Sequence, residues 1–250
     1  MTTRMLEGKK IAVLVETEFI PEEIKAYQTR FAELGATVHL MTRLWENKSV
    51  RFVGDIDDIK KAERINEGVE LVPTLEVNLD FQDAHLNDYA AVIMSANYTS
   101  VRLRYFEPTN GYPLSSEQTR TAPAVQFFAE AMANPKIIKG FLCHGLWILT
   151  PMPELLQGRR VICHPVVLAD VVNAGAIYVP PPLHSQNNDP RNIVVDGDVI
   201  TGRAGGDVNA FIDAIASQIV LQEQGLQLLS YEQKLRQLEA DKLRFYERPY

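Results

Sequence analysis

The sequence has only two cysteines, Cys143 and Cys163, among its 250 residues. Two thiols cannot form the dense disulfide framework of a small secreted domain, so the sequence argues against that class of protein. The chain also has no apolar run approaching the roughly 20 residues that a transmembrane helix needs. Its first ten residues are polar and charged, without the apolar segment of a secretory signal. We therefore expect a soluble, cytoplasmic protein.

An excess of positive charge is absent as well. The chain has 25 lysines and arginines against 32 aspartates and glutamates, a formal net charge of -7. This balance argues against a nucleic-acid binder or a protein of anionic membrane surfaces, which present basic surfaces. The cysteines and histidines show no paired ligand spacing, so we predict no metal. Gly202, Gly205 and Gly206 do not form the dinucleotide motif after a first strand, and we predict no cofactor.

Aliphatic runs alternate with helical patterns from the start of the chain. The run Ile11–Val15 is typical of a strand buried on both faces. Pro21 and the acids after it favour a helix start, and Gly35 favours its end. Thr37–Met41 and Tyr89–Met94 are predicted to be further strands. This alternation predicts an α/β sandwich with a mainly parallel sheet.

Three segments are harder to interpret from the sequence. Residues 45–81 are expected to hold one or more short strands, with a hairpin as one option. Residues 97–123 form a long polar segment, which in a compact domain is usually functional or an interface element. The tail from Ile219 has leucines at heptad spacing. It is predicted to be a long helix that either packs on its own domain or contacts another subunit.

Cys143 lies where a strand pattern meets a helical one. The apolar run Ile137–Leu142 leads in, Gly145 follows two residues after the thiol, and Leu146–Leu149 leads out. A strand that turns sharply into a helix at a nucleophile is a nucleophile elbow. Since sites in parallel sheets lie at the carboxyl ends of strands, Cys143 is predicted to lie there. The first amides of the next helix would then favour a thiolate.

Further motifs follow the same order along the chain as in a known family: Glu23 after the first strand, Cys143-His144-Gly145, Cys163-His164-Pro165, Asn173-Ala174-Gly175-Ala176 and Thr201–Gly206. Over roughly residues 9–220 they resemble the ThiJ/PfpI family of the class I glutamine-amidotransferase-like superfamily. The resemblance implies a flavodoxin-like three-layer sandwich over residues 1–218 and a C-terminal helical extension over residues 219–250. It also implies a homodimer or higher homo-oligomer.

The resemblance assigns roles around the Cys143 nucleophile. Glu23 lies beside the thiol as a hydrogen-bond donor or general acid/base, with Glu18 and Glu22 as alternatives. In the alternative, purely structural interpretation, Glu23 is a solvated acid of the first helical turn. His144 follows the PfpI pattern and His164 the ThiJ pattern, and which of them is the base stays open.

Other site residues follow from the same resemblance. Backbone amides at Cys143–His144 and at Ala96 and Asn97 are expected to hold an oxyanion, with Gly145 in the same turn. The substrate-pocket candidates are Tyr98, Arg102, Glu107 and Arg203. Cys163 is expected to be a small apolar filler, and a resolving thiol for Cys143 is the other reading.

Three positions depart from the family pattern. The family has Pro-Gly-Gly where this chain has Ser95-Ala96-Asn97, and a small residue where it has Phe141. PfpI-type peptidases also take a glutamate from a neighbouring subunit where Val101 lies here, and Glu107 is the nearest replacement. These departures weaken a peptidase assignment more than they weaken the nucleophile.

Two classes of function therefore stand open. In the first, the Cys143 thiolate attacks a small electrophilic substrate, as in a cofactor-free glyoxalase or deglycase or in an amidase or hydratase. An intracellular peptidase is the lesser form of this hypothesis. In the second, the protein is a non-enzymatic stress protein, a redox sensor or a chaperone, whose low-pKa Cys143 is oxidised to a sulfinate.

Overall fold

Aliphatic runs that are buried on both faces form the centre of the structure, a computed structural model that describes residues 4–56, 58–68, 72–107 and 111–225. Its strands are β1 (Lys10–Leu14), β2 (Thr37–Met41), β3 (Val50–Val53), β4 (Thr74–Val77), β5 (Ala91–Met94), β6 (Ile138–Leu142), β7 (Arg160–Val161), β8 (Ile177–Tyr178), β9 (Ile193–Asp196) and β10 (Val199–Gly202). Its helices are α1 (Pro21–Glu33), α2 (Asp58–Glu67), α3 (Thr99–Leu103), α4 (Ser116–Thr119), α5 (Pro123–Ala133), α6 (Pro165–Asn173) and α7 (Val208–Glu223).

The main sheet has six strands in the order β2-β1-β5-β6-β10-β9. All neighbouring pairs are parallel except β10 and the edge strand β9. These two are antiparallel because a tight turn at Gly197, with a φ of 65°, joins them directly. The predicted α/β sandwich with a mainly parallel sheet is confirmed.

Alternate residues of each strand face two separate hydrophobic clusters. Ile11 and Val13 of β1 pack in the cluster that contains the apolar faces of α1 and α7. Ala12 and Leu14 pack in the other cluster, which contains the apolar faces of α5 and α6. Helices therefore cover both faces of the sheet, and the fold has the three layers that the sequence predicts.

Residues 45–81 and 97–123, two of the three segments that were hard to interpret, contain more helix than expected. Strands β3 and β4 pair antiparallel, as the hairpin option implies, but helix α2 lies between them in the chain. The segment 97–123, expected as a long loop, contains α3 and α4 among its described residues. The polar composition of both segments concealed these helices, because a short helix at the surface needs few apolar residues.

The structure describes only the first part of the predicted C-terminal extension. Helix α7 runs through the expected boundary between residues 218 and 219 and ends at Glu223. The rest of the predicted extension, residues 226–250, lies outside the described residues, so its packing stays a prediction. None of the helices in the described part of the chain combines the length and apolar character needed to cross a membrane.

A buried ion pair lies at the start of β6. The Lys139 side chain is fully buried, and its Nζ donates to the carboxylate of Asp198 and, at 3.0 Å, to the carbonyl of Asn134. Burial lowers the pKa of Lys139, and the charge of Asp198 opposes that shift. An ammonium group without a carboxylate here would be strongly unfavourable.

This pair predicts an asymmetry between buried and exposed charges. Asp198→Ala is expected to lower the free energy of unfolding by about 3–5 kcal/mol, because it leaves the buried ammonium uncompensated. The matched control is Arg30→Ala, which breaks the exposed Arg30–Asp213 pair and is expected to cost less than about 1 kcal/mol. Urea denaturation followed by circular dichroism measures both values, and equal losses would contradict the prediction.

Candidate active site

Cys143 occupies a strained turn between β6 and a short 3-10 helix, Gly145–Leu149. Its φ is 58°, in the left-handed region that a residue with a side chain seldom adopts. The turn is held because the Cys143 amide donates to the carbonyl of Gly202 on the neighbouring strand β10, at 2.9 Å. A side chain at Gly145 would press on the Met94 carbonyl, 3.1 Å from an added Cβ. The predicted elbow is therefore present, although a 3-10 helix follows it.

The backbone amides of three residues lie close enough to the Cys143 sulfur to lower the pKa of its thiol. They belong to His144 in the elbow, to Asn97 after β5, and to Gly205 after β10. Each lowers the pKa of the thiol, because an N–H group stabilises the thiolate. The three come from separate carboxyl ends of the parallel strands, where the sequence predicts the site.

Glu23 is the carboxyl group at this site. It lies in the first turn of α1, yet only 1% of it is exposed. The Ala96 amide donates to both of its oxygens, at 2.9 and 3.0 Å, and the Tyr27 hydroxyl donates to Oε1 at 2.7 Å. Burial raises the pKa of Glu23 from 4.5 to about 7, although both hydrogen bonds oppose the shift. The solvated first-turn reading of Glu23 is therefore wrong.

The predicted low pKa of the thiol is not found. Cys143 is 7% exposed. Burial, and then the charge of Glu23, raise the pKa of Cys143 to about 12 against the effect of the three amides. The nearby amides are present as expected, but desolvation and the neighbouring carboxylate outweigh their effect on the pKa of the thiol. Protonation of Glu23 removes one of the two opposing causes, so the two groups favour a state with a single negative charge between them.

Two of the amides expected to hold an oxyanion are already engaged. The Ala96 amide is bonded to Glu23, and the Cys143 amide is bonded to Gly202. The amides of Asn97, His144 and Gly205 are the ones that act on the thiol. Donation by Ala96 and Cys143 is thus a correction to the sequence prediction. Gly145 contributes through close packing, as described above.

The two histidines lie side by side with their ring centroids 4.8 Å apart. His144 is 7% exposed, and neither ring nitrogen makes a hydrogen bond of standard geometry with the described residues. Burial and then His164 lower its pKa to about 4, with the backbone of Asn97 opposing, so the ring is neutral at pH 7. His164 caps α6, where its Nδ1 accepts from the Val166 amide at 3.3 Å. His144 therefore makes no hydrogen bond of standard geometry through its ring, although the Asn97 backbone lies near it.

The sequence model of the DJ-1/PfpI family matches residues 111–218, which include the elbow and both histidines. This part of the chain is therefore similar to the DJ-1/PfpI family. This match confirms the resemblance drawn from the motifs. No protein with curated annotation matches the sequence.

Solved structures extend the likeness of the DJ-1/PfpI fold beyond the matched residues. A two-domain protein of Anabaena variabilis with DJ-1/ThiJ/PfpI-like and ferritin-like domains has a TM-score of 0.60 and 23% identity, over 84% of this chain and 48% of that one. The chain thus spans about half the length of that protein. Drosophila melanogaster DJ-1beta has a TM-score of 0.59 and 14% identity, over 90% and 100% of the chains. A ThiJ/PfpI domain protein of Brachyspira murdochii has a TM-score of 0.57 and 15% identity, over 85% and 96%. At these identities the likeness establishes the fold.

The pocket candidates predicted from the sequence divide into two groups. Tyr98 contacts the His144 ring, with centroids 5.2 Å apart, and the charge of Arg203 acts on His164. These two residues lie beside the site. Arg102 instead binds Glu18 at 3.0 Å and lines a cavity of about 540 Å³ whose lining includes neither Cys143 nor either histidine. Glu107 is exposed, with no described contact to the site.

Cys163 is fully buried among the hydrophobic residues on the α5 and α6 face of the sheet. Cys143 packs with the cluster on the opposite face. The pKa of Cys163 is raised to about 12, first by burial and then by the charge of Cys143, so the two sulfurs still influence each other. The filler role expected for Cys163 agrees with this packing.

Two functional features escaped the sequence reading. The glycines after β10 do not form a dinucleotide motif, and the amide of one of them, Gly205, instead lowers the pKa of the Cys143 thiol. The signal was its place just after the last parallel strand, at the edge of the sheet where Cys143 lies. Tyr27 packs on the apolar face of α1, but its hydroxyl donates to Glu23. Its spacing of four residues from Glu23 on one helix could have shown this contact.

Glu23→Gln separates the charge of this group from its proton transfer. Above pH 7 the variant is expected to alkylate faster at Cys143 than the native protein, because the carboxylate that raises the pKa of the thiol is gone. Turnover is expected to fall, since an amide cannot accept a proton. Iodoacetamide alkylation with mass spectrometry tests the first expectation, and slower alkylation would contradict it.

The pH dependence of the free energy of unfolding is expected to reflect the raised pKa of Glu23. The folded-state pKa of about 7 exceeds the ordinary 4.5, so the unfolded chain loses this proton first as pH rises. The contribution of Glu23 to stability is therefore complete below pH 4.5 and is lost progressively up to about pH 7. Glu23→Gln is expected to flatten this part of the pH profile of the free energy of unfolding, and an unchanged profile would argue against the raised pKa.

Proposed function

We propose that the protein is a cysteine-dependent enzyme of the DJ-1/PfpI type that acts on a small electrophilic carbon. The observation that carries this proposal is the surroundings of the Cys143 sulfur. The thiol lies on a strained elbow, and three nearby backbone amides lower its pKa. The neighbouring carboxyl group of Glu23 has a pKa that is raised to about 7. A group with a pKa near the working pH is suited to move a proton in both directions.

The first step of the proposed reaction is the addition of the Cys143 sulfur to a carbonyl carbon. The Cys143 S–H proton passes to the Glu23 carboxylate, and the sulfur electron pair forms a C–S bond to the substrate carbonyl carbon. The carbonyl π electrons move to oxygen, where the amides near the thiol stabilise the charge. For a reactive carbonyl, Glu23 returns the proton to that oxygen and a hemithioacetal results. For an acyl substrate, the leaving group departs with the proton, and water later hydrolyses the thioester.

His144 has a different part in this proposal from Glu23. Its neutral ring makes no hydrogen bond of standard geometry with the described residues, so it can donate or accept one hydrogen bond to a bound substrate. Tyr98 and Trp147 pack around that ring, at centroid distances of 5.2 and 5.3 Å, and hold it in place. His164 is a less suitable base because its Nδ1 is bonded to the Val166 amide.

The small size of the substrate follows from access. With Cys143 and His144 each 7% exposed, a polypeptide has little room to approach the sulfur. The absence of a glutamate at Val101 removes a further feature of a PfpI-type peptidase. We therefore favour glyoxalase, deglycase, amidase or hydratase chemistry over peptidase activity.

A second candidate function is redox sensing. Protonated Glu23 can donate a hydrogen bond to an oxidised Cys143, as it can to a thiolate. Two peroxide molecules would convert the thiolate to a sulfinate and two waters. Addition of two oxygen atoms at Cys143 under mild peroxide, together with no turnover on any electrophile, would favour this candidate and a stress-protein role.

The proposal also covers the cellular compartment and the oligomeric state. Both cysteines are free thiols, which suits a reducing cytoplasm. A homodimer or higher homo-oligomer is proposed from the family resemblance, with the segment 97–123 and the C-terminal region as the surfaces to examine.

Cys143→Ser is expected to abolish turnover on methylglyoxal and on p-nitrophenyl acetate, by at least about 100-fold, because the hydroxyl is a far weaker nucleophile than a thiolate. The matched control is Cys163→Ala, on the opposite face, which should retain turnover. His144→Gln is expected to lower kcat more than His164→Gln does. Native rates in Cys143→Ser on acyl esters, methylglyoxal and peptides would overturn the proposed function.

A further inference from the structure

Asn97 connects the thiol site to two distant loops. It follows β5 in the left-handed region, with a φ of 65°, and is 8% exposed. Its Nδ2 donates to the Glu18 carbonyl at 2.7 Å and to Asp55 Oδ2 at 2.9 Å. Both hydrogens of the carboxamide are therefore used, each on a different segment of the chain.

These two segments are themselves joined. The Glu18 amide donates to the Val53 carbonyl at 2.7 Å, and the Asp55 amide donates to the Phe19 carbonyl at 2.8 Å. The loop after β1 is thus paired along the end of β3. The Asn97 carboxamide bonds to both partners of this pairing, which makes it the point where three segments meet.

The backbone of Asn97 is fixed from the other side as well. The preceding Ala96 amide is bonded to both oxygens of Glu23. Left-handed geometry costs an ordinary residue about 1–2 kcal/mol, and asparagine adopts it more readily than most. The carboxamide contacts and the Glu23 contacts together fix the Ala96–Asn97 peptide from both sides, and the Asn97 amide lowers the pKa of the Cys143 thiol.

We propose that Asp55 is a positioning residue for the Cys143 site: by holding the Asn97 carboxamide, it keeps the Asn97 backbone amide aimed at the sulfur. Its effect on turnover rests on the proposed function, whereas its effect on the thiol does not. In this chain, Asn97 and Asp55 together replace the conformational freedom of a glycine with a tethered side chain.

The contact has the features of a tether of moderate strength. Asp55 is exposed, so water competes for its carboxylate, while Asn97 is buried at the other end of the bond. Asp55 is bonded to a neutral amide, and Glu23 is the carboxylate whose charge acts on the thiol. Loss of the tether is therefore expected to act through geometry.

The experiment compares Asp55→Ala with Asp55→Asn in the full chain. Both variants lose the charge, but the asparagine keeps an oxygen that can accept from Asn97. The readout is the pH dependence of Cys143 alkylation by iodoacetamide, located by mass spectrometry. Asp55→Ala is expected to alkylate about 5-fold more slowly near neutral pH, the equivalent of one hydrogen bond, and Asp55→Asn should recover most of that loss.

Two further variants separate positioning from general stability. Asn97→Gly keeps the left-handed backbone accessible but has no tether, so it should behave like Asp55→Ala. Asp213→Ala, which removes an exposed ion pair with Arg30 away from the site, is the control for destabilisation. Melting temperatures are measured for all of them.

The outcomes are distinct. If Asp55→Ala and Asn97→Gly match Asp213→Ala in alkylation rate at every pH, the tether does not position the amide and the inference is overturned. Because alkylation needs no turnover, this result is independent of whether a substrate is found. If the alkylation profiles shift as expected while Cys143→Ser keeps native turnover, the inference holds and the proposed function fails.

Discussion

The bond between a buried carboxyl group and one backbone amide organises this site. Glu23 accepts from Ala96 through both oxygens, while Tyr27 holds one of them from the same helix. This contact fixes the first turn of α1 against the end of β5. It also brings an acid of raised pKa to the thiol and sets the backbone of the residue that follows Ala96. Together with the contacts of the Asn97 carboxamide, it fixes the backbone at that residue.

The main sheet could be predicted from the sequence because its strands are buried on both faces. Such strands, as in β1 and β5, appear as continuous aliphatic runs that no surface element imitates. Helices α2 and α3 were missed for the opposite reason, since they are short and rich in polar residues. The position of Cys143 followed from the same logic, because the strand before it is wholly apolar except for Lys139, whose partner Asp198 is far away in the chain.

The chemistry of the site was harder to predict than its position. A pKa depends on what surrounds a group in three dimensions, and sequence spacing supplies only the nearest amides. The elbow suggested a thiolate, whereas burial and Glu23 raise the pKa of Cys143. Asn97 shows the same limit in another form. Its left-handed conformation is understandable only when Asp55 and Glu18, far away in sequence, are seen to hold its side chain.

The two cysteines pack on opposite faces of the sheet, and this separation has a kinetic consequence. Cys163 packs in the cluster that contains α5 and α6, and this packing favours its filler role over that of a resolving thiol for Cys143. Rescue of a sulfenic acid would then require a thiol from solution, and its rate would follow the concentration of that reductant. The lifetime of the damaged protein would be set by the surrounding thiol pool rather than by the chain itself.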